Sequence, residues 1–517
     1  MNLIQLVEKN SRLYPRKTAF VEIKPLSGER EELHWKAFSD RTNRLANALM
    51  DRGVTKGDKV FILGKNSINW VEAYFAVLKT GGWVVPLNFR FTNDDIAFCA
   101  EVAEPKAFIL AEEYGDRVKE MRSKLDTVQE YIVMGQKHVE GMALLEDVIQ
   151  GGATGLPDVS LDYGDDCGLY FTSGTTGKPK PVLVTHLSLF STAIAELTTH
   201  DLTESDRFLM MPPLYHLAIA HLLGTMLAGG TNVLLTEAIT PQFLLQAMSD
   251  EQISVVFLLV PWALDMLEAL DKGVLKKEDY DLSHWQLTHM GAQSIPPSIV
   301  QRLKEHFPGM KYDTDYGLSE STGPGPLHLG MENGHKVGAI GKPTMMWDAR
   351  IVDPEGNDVA QGDVGELVVR GPGVMKAYYK NPELTAETIK DGWLYTGDMS
   401  SMDEDGFISI VDRKKDVVIC GGENIFPVEV ENVILRHPKV FDVAVIGTPD
   451  KRLGEKVSAV VDVVPDEKMT EEELNAFLEE NLPRYKRPRQ IIFDKVPRNP
   501  TGKIEKPKLR DKYCKEE

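Results

Sequence analysis

The chain has 517 residues, of which 42% are hydrophobic and 26% charged, a composition that excludes collagen-like and disordered proteins. At about 150 residues per domain, this length predicts about three domains or subdomains. The formal net charge of −20 argues against a nucleic-acid partner, because affinity for a phosphate backbone depends largely on Lys and Arg.

Neither an export signal nor a transmembrane segment is predicted. Residues 1–15 have no basic stretch followed by a sustained apolar run. The longest apolar stretch, 253–264, is interrupted by Ser254 and Pro261 and is shorter than the about 20 residues that a membrane span needs. We therefore expect a cytoplasmic protein. Four cysteines lie far apart and predict reduced thiols, with neither a disulfide framework nor a zinc site: Cys99, Cys167, Cys420 and Cys514.

Helical periodicity alternates with short apolar runs from residue 36 onward. Phe38, Leu45 and Leu49 recur at helical spacing before Gly53, and a second helix is predicted at 70–80. The predicted strands are 59–63, 83–85, 106–110, 131–134, 208–211, 232–235 and 254–259. This alternation predicts largely parallel sheets with helices on both faces, that is, an α/β fold.

The pattern changes near Arg350 to short β-rich runs separated by turn sequences at 353–356 and 403–406, which predict a small antiparallel lobe. The last hundred or so residues contain a predicted strand at 443–446 and a helix that begins near Thr470. They are typical of a separate α+β module that joins the rest near Asp412.

A loop rich in glycine and hydroxyl side chains lies at 170–180 and reads YFTSGTTGKPK. Glycines let backbone N–H groups approach a phosphate, hydroxyls donate hydrogen bonds and lysines supply charge, so the loop is a candidate polyphosphate site. It differs from the Walker pattern, because only two residues separate Gly174 from Gly177. On its own, a Ser/Thr/Gly-rich surface loop is an equally good interpretation.

Seven further motifs follow in order, and together with this loop they resemble the adenylate-forming enzymes. That family includes acyl-CoA and aryl-CoA synthetases, luciferases and peptide-synthetase adenylation domains. The motifs are PPLYH at 212–216, MGA at 290–292, YGLSE at 316–320, YTGD at 395–398, DRKKD at 412–416, GGENIFPVEVE at 421–431 and PRNPTGKI at 497–504. The resemblance covers nearly the whole chain. It implies a large N-terminal domain, 1–412, of two α/β subdomains plus a β-rich lobe, and a small mobile α+β C-terminal domain, 413–517.

The resemblance also assigns roles to individual residues. The ATP phosphates are expected at Thr172, Ser173, Thr175, Thr176 and Lys180, and the rest of the nucleotide at Gly291, Ala292, Tyr316, Ser319, Asp398 and Arg413. Glu320 and Thr175 are the expected Mg²⁺ ligands, and Asp398 is expected to bind the ribose hydroxyls. Pro181 departs from the glycine that is usual after the lysine, which leaves the mobility of the loop open.

Two half-reactions follow from the resemblance. Lys503 is expected to act in adenylation together with Glu320, Lys180 and Thr175, and the C-terminal domain then rotates about Lys415. Gly421 and Gly422 are expected to lie beside the pantetheine of CoA, although a plain hairpin turn explains the same two glycines. The expected acyl pocket consists of His216, Ala218, Val260, Trp262 and Met290.

The sequence thus predicts an acid–thiol ligase of the AMP-forming acyl-CoA synthetase type, with Mg²⁺ as cofactor and ATP and CoA as co-substrates. The segments expected to line the pocket, 215–220, 258–262 and 290–293, contain no Lys or Arg to pair a second carboxylate, which predicts a medium-chain, alicyclic or aromatic monocarboxylic acid. An enzyme that loads a carrier protein and a non-catalytic nucleotide-binding relative are the alternatives. The sequence leaves open the acid itself, the direction of flux and the oligomeric state, for which a homodimer is one option.

Overall fold

The computed structural model describes residues 2–172, 178–291, 295–465, 467–498 and 504–514. The chain divides into two units. Unit 1 comprises Met1–Ala349 and Val369–Leu394, and unit 2 comprises Arg350–Val368 and Tyr395–Glu517. The domain boundary between residues 412 and 413 stays a prediction. In the described part of the chain, no helix combines the length and apolar character needed to cross a membrane.

The described residues form strands and helices that are numbered here in chain order. The strands are β1 (Thr18–Lys24), β2 (Glu29–His34), β3 (Lys59–Leu63), β4 (Trp83–Leu87), β5 (Ala107–Ala111), β6 (Glu130–Met134), β7 (Ala143–Leu144), β8 (Asp166–Thr172), β9 (Lys180–Thr185), β10 (Arg207–Met210), β11 (Thr231–Leu235), β12 (Val255–Phe257), β13 (Leu287–Met290), β14 (Lys311–Leu318), β15 (Gly323–His328), β16 (Lys342–Pro343), β17 (Asp348–Val352), β18 (Gly365–Arg370), β19 (Ala377–Tyr378), β20 (Ile389–Lys390), β21 (Trp393–Met402), β22 (Ile408–Arg413), β23 (Val418–Cys420), β24 (Glu423–Ile425), β25 (Val440–Asp450), β26 (Gly454–Val463) and β27 (Gln490–Phe493). The helices are α1 (Leu3–Leu13), α2 (Trp35–Asp51), α3 (Ile68–Lys79), α4 (Asn93–Ala103), α5 (Gly115–Glu120), α6 (Leu145–Gly151), α7 (His186–Thr199), α8 (Ile219–Ala228), α9 (Pro241–Asp250), α10 (Val260–Asp271), α11 (Pro297–His306), α12 (Pro382–Thr388), α13 (Pro427–Ile434), α14 (Glu471–Asn481) and α15 (Lys506–Tyr513).

Two large mixed sheets form the framework of unit 1. One has the strand order β16-β15-β14-β13-β12-β10-β11-β1-β2, and its strands from β14 to β1 are parallel. The other has the order β19-β9-β8-β4-β3-β5-β6-β7 and is parallel from β8 to β7. The expected α/β fold with largely parallel sheets is therefore confirmed. The nine-stranded sheet ends in antiparallel strands at both sides and the eight-stranded sheet at one side, and the β14–β15 and β8–β9 pairs carry part of the site described below.

Capping residues explain where some helices of unit 1 begin. The Ser67 side chain accepts a hydrogen bond from the Trp70 backbone N–H at 3.1 Å and so caps α3. Thr240 caps α9 in the same way, and Pro241 follows at the first helical position, where its missing N–H costs nothing. The apolar faces of these helices are fully buried, as at Trp70 and Phe75 of α3.

Unit 2 contains a small sheet of its own, with the order β24-β23-β26-β25 and β27 beside β26. The long hairpin of β25 and β26 buries Val445 in a core that α13 and α14 complete, and it buries Val460 in a second, smaller cluster with Leu509 of α15. Another sheet has the order β17-β18-β21-β20, with β22 paired to β21. Gly356 and Gly406 close its turns through hydrogen bonds to the Asp353 and Asp403 carbonyls, where the sequence predicts turns.

Candidate active site

Four neighbouring parallel strands of unit 1 bring nine of the predicted site residues to one edge of the nine-stranded sheet. The strands β10, β12, β13 and β14 lie side by side, so their carboxyl ends meet at the same edge. The predicted residues that follow these ends are His216 and Ala218 after β10, Val260 and Trp262 after β12, Met290 and Gly291 at the end of β13, and Tyr316, Ser319 and Glu320 at the end of β14. In open α/β sheets, ligands bind outside the carboxyl ends of the strands.

The turn that carries Glu320 is held by hydrogen bonds within the turn and from a distant part of unit 1. The Ser321 hydroxyl accepts a hydrogen bond from the Leu318 N–H at 2.8 Å, and the Met375 N–H donates to the Glu320 carbonyl at 2.8 Å. Gly317 permits a close approach of two backbones, because a Cβ atom there would lie 1.8 Å from the Gly323 carbonyl oxygen. The glycine of the YGLSE motif is therefore a steric requirement for placing Glu320.

A tyrosine that the sequence analysis did not single out holds the Glu320 carboxylate. The Tyr378 hydroxyl donates to Glu320 Oε1 at 2.6 Å. Burial and the nearby Glu320 charge raise the pKa of Tyr378 well above its usual value, so the hydroxyl stays a donor. The Lys180 ammonium lies 5.5 Å from the centre of the Tyr378 ring, which places a cation beside this pair.

The Glu320 carboxylate fits the Mg²⁺ that the resemblance implies. It is a hard oxygen donor and is only half-buried. Among the described residues, Tyr378 bonds to Oε1 and no hydrogen bond reaches Oε2, so one oxygen can still bind an ion. Thr175, the other expected ligand, lies outside the described residues.

The candidate phosphate loop joins the two strands of a hairpin in the other large sheet. Thr172 and Lys180 are opposite each other in the antiparallel pair of β8 and β9. Pro181 lies within β9, where its carbonyl accepts a hydrogen bond from the Tyr379 N–H at 2.8 Å. The backbone N–H that Pro181 lacks is therefore missing from strand β9 and not from the candidate phosphate loop. Ser173, Thr175 and Thr176 lie outside the described residues.

The expected ribose-binding residues form an ion pair in unit 2. Asp398 of β21 is opposite Arg413 of β22, and Arg413 Nε lies 2.7 Å from Asp398 Oδ1. Asp398 is buried and Arg413 is partly exposed. Next to this ion pair, the Lys414 N–H donates a hydrogen bond to the Gly397 carbonyl at 2.9 Å. The guanidinium therefore holds the carboxylate in one orientation.

The predicted hinge residue, Lys415, lies exposed in a turn between two anchored carboxylates of unit 2. The Asp412 carboxylate accepts hydrogen bonds from the backbone N–H groups of Arg413 and Val428, and burial raises its pKa to about 6. On the other side, Arg510 donates to Asp416 at 2.6 Å. A hinge at Lys415 stays a prediction.

Gly421 and Gly422 form the two-residue loop between β23 and β24. Their φ angles are +63° and +89°, and Cys420 pairs with Glu423 across the loop. Two central residues with positive φ are typical of a type I′ turn, which strongly favours glycine. The hairpin explanation for these glycines is thus correct, and a role beside CoA stays a prediction.

The expected acyl-pocket residues differ in exposure. Met290 is fully buried, Ala218 and Val260 are nearly so, and Trp262 is half-buried in the first turn of α10. His216 is exposed, and its ring lies 4.2 Å from that of Tyr215, which contacts Phe89. Leu217, which lies between His216 and Ala218 in the chain, has a φ of +66°, a conformation that costs energy in a residue with a side chain. Ala292 and Lys503 lie outside the described residues.

Comparison with known proteins identifies the family. The sequence profile of AMP-binding enzymes matches residues 7–379, and that of the AMP-binding enzyme C-terminal domain matches residues 429–503. The chain belongs to the AMP-binding enzymes. The resemblance drawn from the eight motifs is therefore confirmed, and with it the assignment of the chain as an enzyme.

Similar proteins cover nearly the full length of this AMP-binding enzyme. A feruloyl-CoA synthase from an Amycolatopsis species is 34% identical over 93% of this chain and 94% of its own. A long-chain-fatty-acid–CoA ligase from Mycobacterium tuberculosis is 30% identical over 99% of this chain and 98% of its own. The crystal structure of an anthranilate CoA ligase with anthranoyl-AMP matches with a TM-score of 0.88 and 26% identity, covering 99% of this chain and 97% of that one.

Replacing Tyr378 with phenylalanine is expected to raise the Mg²⁺ concentration needed for half-maximal adenylation by about tenfold, because Glu320 loses the donor that orients it. Magnesium titration of adenylate formation measures this effect. Tyr379→Phe is the matched control, since the Tyr379 ring packs against Trp83 instead. Equal titrations in both variants would show that Tyr378 does not position Glu320.

Replacing Lys415 with proline is expected to leave adenylation largely intact and to slow thioester formation from supplied acyl-AMP. Proline fixes φ at its own position and restricts the preceding residue, so the turn can no longer change conformation. Single-turnover measurement of each half-reaction tests this. Lys415→Ala, which removes the charge without restricting φ, should retain both half-reactions, and full turnover in the proline variant would rule out a hinge here.

Proposed function

We propose that this AMP-binding enzyme is an ATP-dependent carboxylate–CoA ligase that forms an acyl-AMP intermediate and releases pyrophosphate and AMP. The observation that carries the proposal is the edge of the nine-stranded sheet, where the nucleotide and acyl residues follow adjacent strands. The acid lies beside Met290 and Val260, and Tyr316 offers a ring to adenine.

In the first half-reaction, the carboxylate of the acid attacks the α-phosphorus of ATP. Lys180 and Lys503 offset phosphate charge, and Asp398, oriented by Arg413, accepts hydrogen bonds from the ribose hydroxyls. Glu320 would hold Mg²⁺, which would supply positive charge to offset that of the phosphates. Positioning and charge stabilisation suffice, and no protein nucleophile is needed.

In the second half-reaction, the CoA thiol attacks the mixed anhydride and AMP leaves. The C-terminal domain rotates about Lys415 between the two steps, which withdraws Lys503 and presents the Gly421 turn to CoA. We place this chemistry in the cytoplasm, in line with the sequence.

The proposed substrate is a compact apolar monocarboxylic acid of medium-chain, alicyclic or aromatic type. The pocket segments are apolar and carry no Lys or Arg, so a second carboxylate would be buried without a partner. The relatives named above are known as feruloyl-, long-chain-fatty-acid- and anthranilate–CoA ligases, a range that includes aromatic acids.

Comparing kcat/KM for acetate, hexanoate, benzoate, cyclohexanecarboxylate and palmitate tests the substrate class, with CoA-dependent AMP formation as the readout. Each buried methylene should contribute about 0.8 kcal/mol, or roughly fourfold in kcat/KM. The three acids of intermediate size should be the best substrates. Preference for acetate or palmitate over all three would contradict the proposed pocket, and ADP instead of AMP would contradict adenylation.

A carrier protein bearing phosphopantetheine should be offered in place of CoA in the same assay. Efficient acyl transfer to the carrier and not to CoA would replace the proposed function by the carrier-loading alternative. If the protein binds ATP but forms no adenylate with any of the acids, the alternative of a non-catalytic relative is favoured.

A further inference from the structure

Four histidines and three carboxylates lie close together in unit 1, and three of them are on β13 and β14, which also carry residues of the candidate active site. We call them the buried histidine cluster. Its members are Glu196 and His200 of the α7 segment, His221 of α8, His289 of β13, Asp313 and Asp315 of β14 and His328 of β15. All except Asp315 are at least nine-tenths buried, and none belongs to the site described above.

Four side-chain atoms of this cluster converge on one point. His200 Nε2 lies 2.7 Å from Asp313 Oδ2 and 3.0 Å from His289 Nδ1. His328 Nδ1 lies 2.8 Å from the same Asp313 oxygen, and all four atoms lie within 4.8 Å of one another. A tetrahedral zinc ion with bonds of about 2.0–2.1 Å separates its ligand atoms by roughly 3.3 Å, so small side-chain shifts complete such a site.

The imidazole rings radiate from that point instead of stacking. The interplanar angle is 83° between His200 and His289, 77° between His200 and His328, and 70° between His289 and His328. Asp313 presents a single oxygen, because its Oδ1 accepts the Gly330 N–H at 2.7 Å. Three nitrogens and one carboxylate oxygen thus face one another from four separate elements.

The other ring nitrogens face carboxylates, as those of metal-bound histidines usually do. His289 Nε2 lies 2.9 Å from Asp315 Oδ1, and His200 Nδ1 lies 3.1 Å from Glu196 Oε2. His328 Nε2 lies 3.9 Å from Glu196 Oε1. If the ring nitrogens that face carboxylates carry the protons, then His200 Nε2, His289 Nδ1 and His328 Nδ1 each present a lone pair to the space between them and Asp313 Oδ2.

Hydrogen bonding among the described residues leaves this cluster incompletely satisfied. Both Glu196 oxygens, His200 Nδ1, His221 Nδ1 and His328 Nε2 are buried without a partner in hydrogen-bond geometry, although ion-pair distances to neighbours are short. Buried carboxylates need compensating charge, and a divalent cation provides two positive charges at the centre of the group.

We propose that the buried histidine cluster is a structural zinc site. The ligand atoms are His200 Nε2, His289 Nδ1, His328 Nδ1 and Asp313 Oδ2. Four protein ligands and complete burial leave no open position for a substrate, so the ion stabilises the fold and takes no part in the reaction. The donor set of imidazoles and one carboxylate in a tetrahedral arrangement is typical of zinc.

The proposed ion would hold in place two strands that carry residues of the candidate active site. His289 directly precedes Met290, and Asp315 directly precedes Tyr316. Gly291 lies so close to Asp315 that a Cβ atom would stand 1.8 Å from its Oδ1. Zinc bound at His289 and Asp313 therefore fixes the ends of β13 and β14 relative to each other. This inference does not depend on the proposed function.

Metal analysis of the tag-free wild-type protein, after exhaustive dialysis, tests the proposal. We expect about one equivalent of zinc per chain. After removal with a strong chelator, added Zn²⁺ should restore that content and raise the Tm. Added Co²⁺ should instead give the intense visible absorption of a tetrahedral cobalt site.

The variants His200→Gln and His328→Gln should each retain less than about a tenth of an equivalent of zinc. His186→Gln is the matched control, because His186 is equally buried, begins the helix that carries Glu196, and lies outside the cluster. It should keep the wild-type zinc content. If wild-type protein binds no zinc even after reconstitution, or if its cobalt form lacks tetrahedral absorption, the cluster is a metal-free network that shares protons and the proposal is wrong. This result needs no variant to fold.

Discussion

Replacing Lys503 with alanine is expected to lower acyl-adenylate formation by several orders of magnitude and to leave thioester formation from supplied acyl-AMP nearly unchanged. The proposed ammonium bridges the substrate carboxylate and the α-phosphate and offsets charge as the pentacoordinate centre forms. It acts in one domain orientation only, so its loss should affect one half-reaction. Single-turnover release of pyrophosphate measures the first step, and conversion of synthetic acyl-AMP to acyl-CoA measures the second.

A neighbouring lysine provides the control for this experiment. Lys508 is exposed and pairs with Glu505 at 2.6 Å. An exposed ion pair contributes only about 0–1 kcal/mol, so Lys508→Ala should retain both rates and the wild-type stability. An equal loss of both half-reactions in Lys503→Ala would contradict a lysine that acts in adenylation alone.

Apolar runs gave reliable predictions where a strand is buried on both faces. The run at 59–63 is β3, whose last four residues are buried, and it pairs in parallel with β4 and β5. Such strands consist almost wholly of apolar residues, so the sequence itself marks them.

Other strands carry no comparable pattern. The first four residues of β2 are all exposed, and the strand forms through its antiparallel pairing with β1. The strand predicted at 443–446 covers only the buried middle of β25, which extends from Val440 to Asp450 because β26 pairs with it along its length. Pairing partners distant in the chain decide these strands, and a single sequence does not show them.

The candidate site also contains residues that the sequence predicted and one that it did not. Glu320 and Asp398 lie in motifs and were predicted from them, whereas Tyr378 was missed because it reaches Glu320 from 58 residues away in a two-residue strand. The buried histidine cluster was missed for a related reason. His200 and His289 are 89 residues apart and have no short metal-binding spacing, so only the packing of four elements brings them together.

Replacing Glu320 with glutamine is expected to slow adenylation by roughly two orders of magnitude and to raise the Mg²⁺ concentration needed for half-maximal rate. A neutral amide cannot balance the charge of the ion. The amide oxygen can still accept the Tyr378 hydroxyl, and the Leu318–Ser321 hydrogen bond involves no atom of the Glu320 side chain. The turn should therefore keep its structure while the site loses charge, which makes the substitution more informative than alanine.

The measurement is the rate of acyl-AMP formation as a function of free Mg²⁺ at saturating ATP. Glu332→Gln is the matched control, because Glu332 lies in the same unit, is largely exposed and pairs only with Lys311 at 3.0 Å among the described residues. It should titrate like the wild type. Thioester formation from supplied acyl-AMP, which involves no pyrophosphate leaving group, should be much less affected in Glu320→Gln. An unchanged Mg²⁺ titration together with an unchanged rate would place the metal ligand at another residue. The Glu320 carboxylate that Tyr378 holds would then have no role in catalysis.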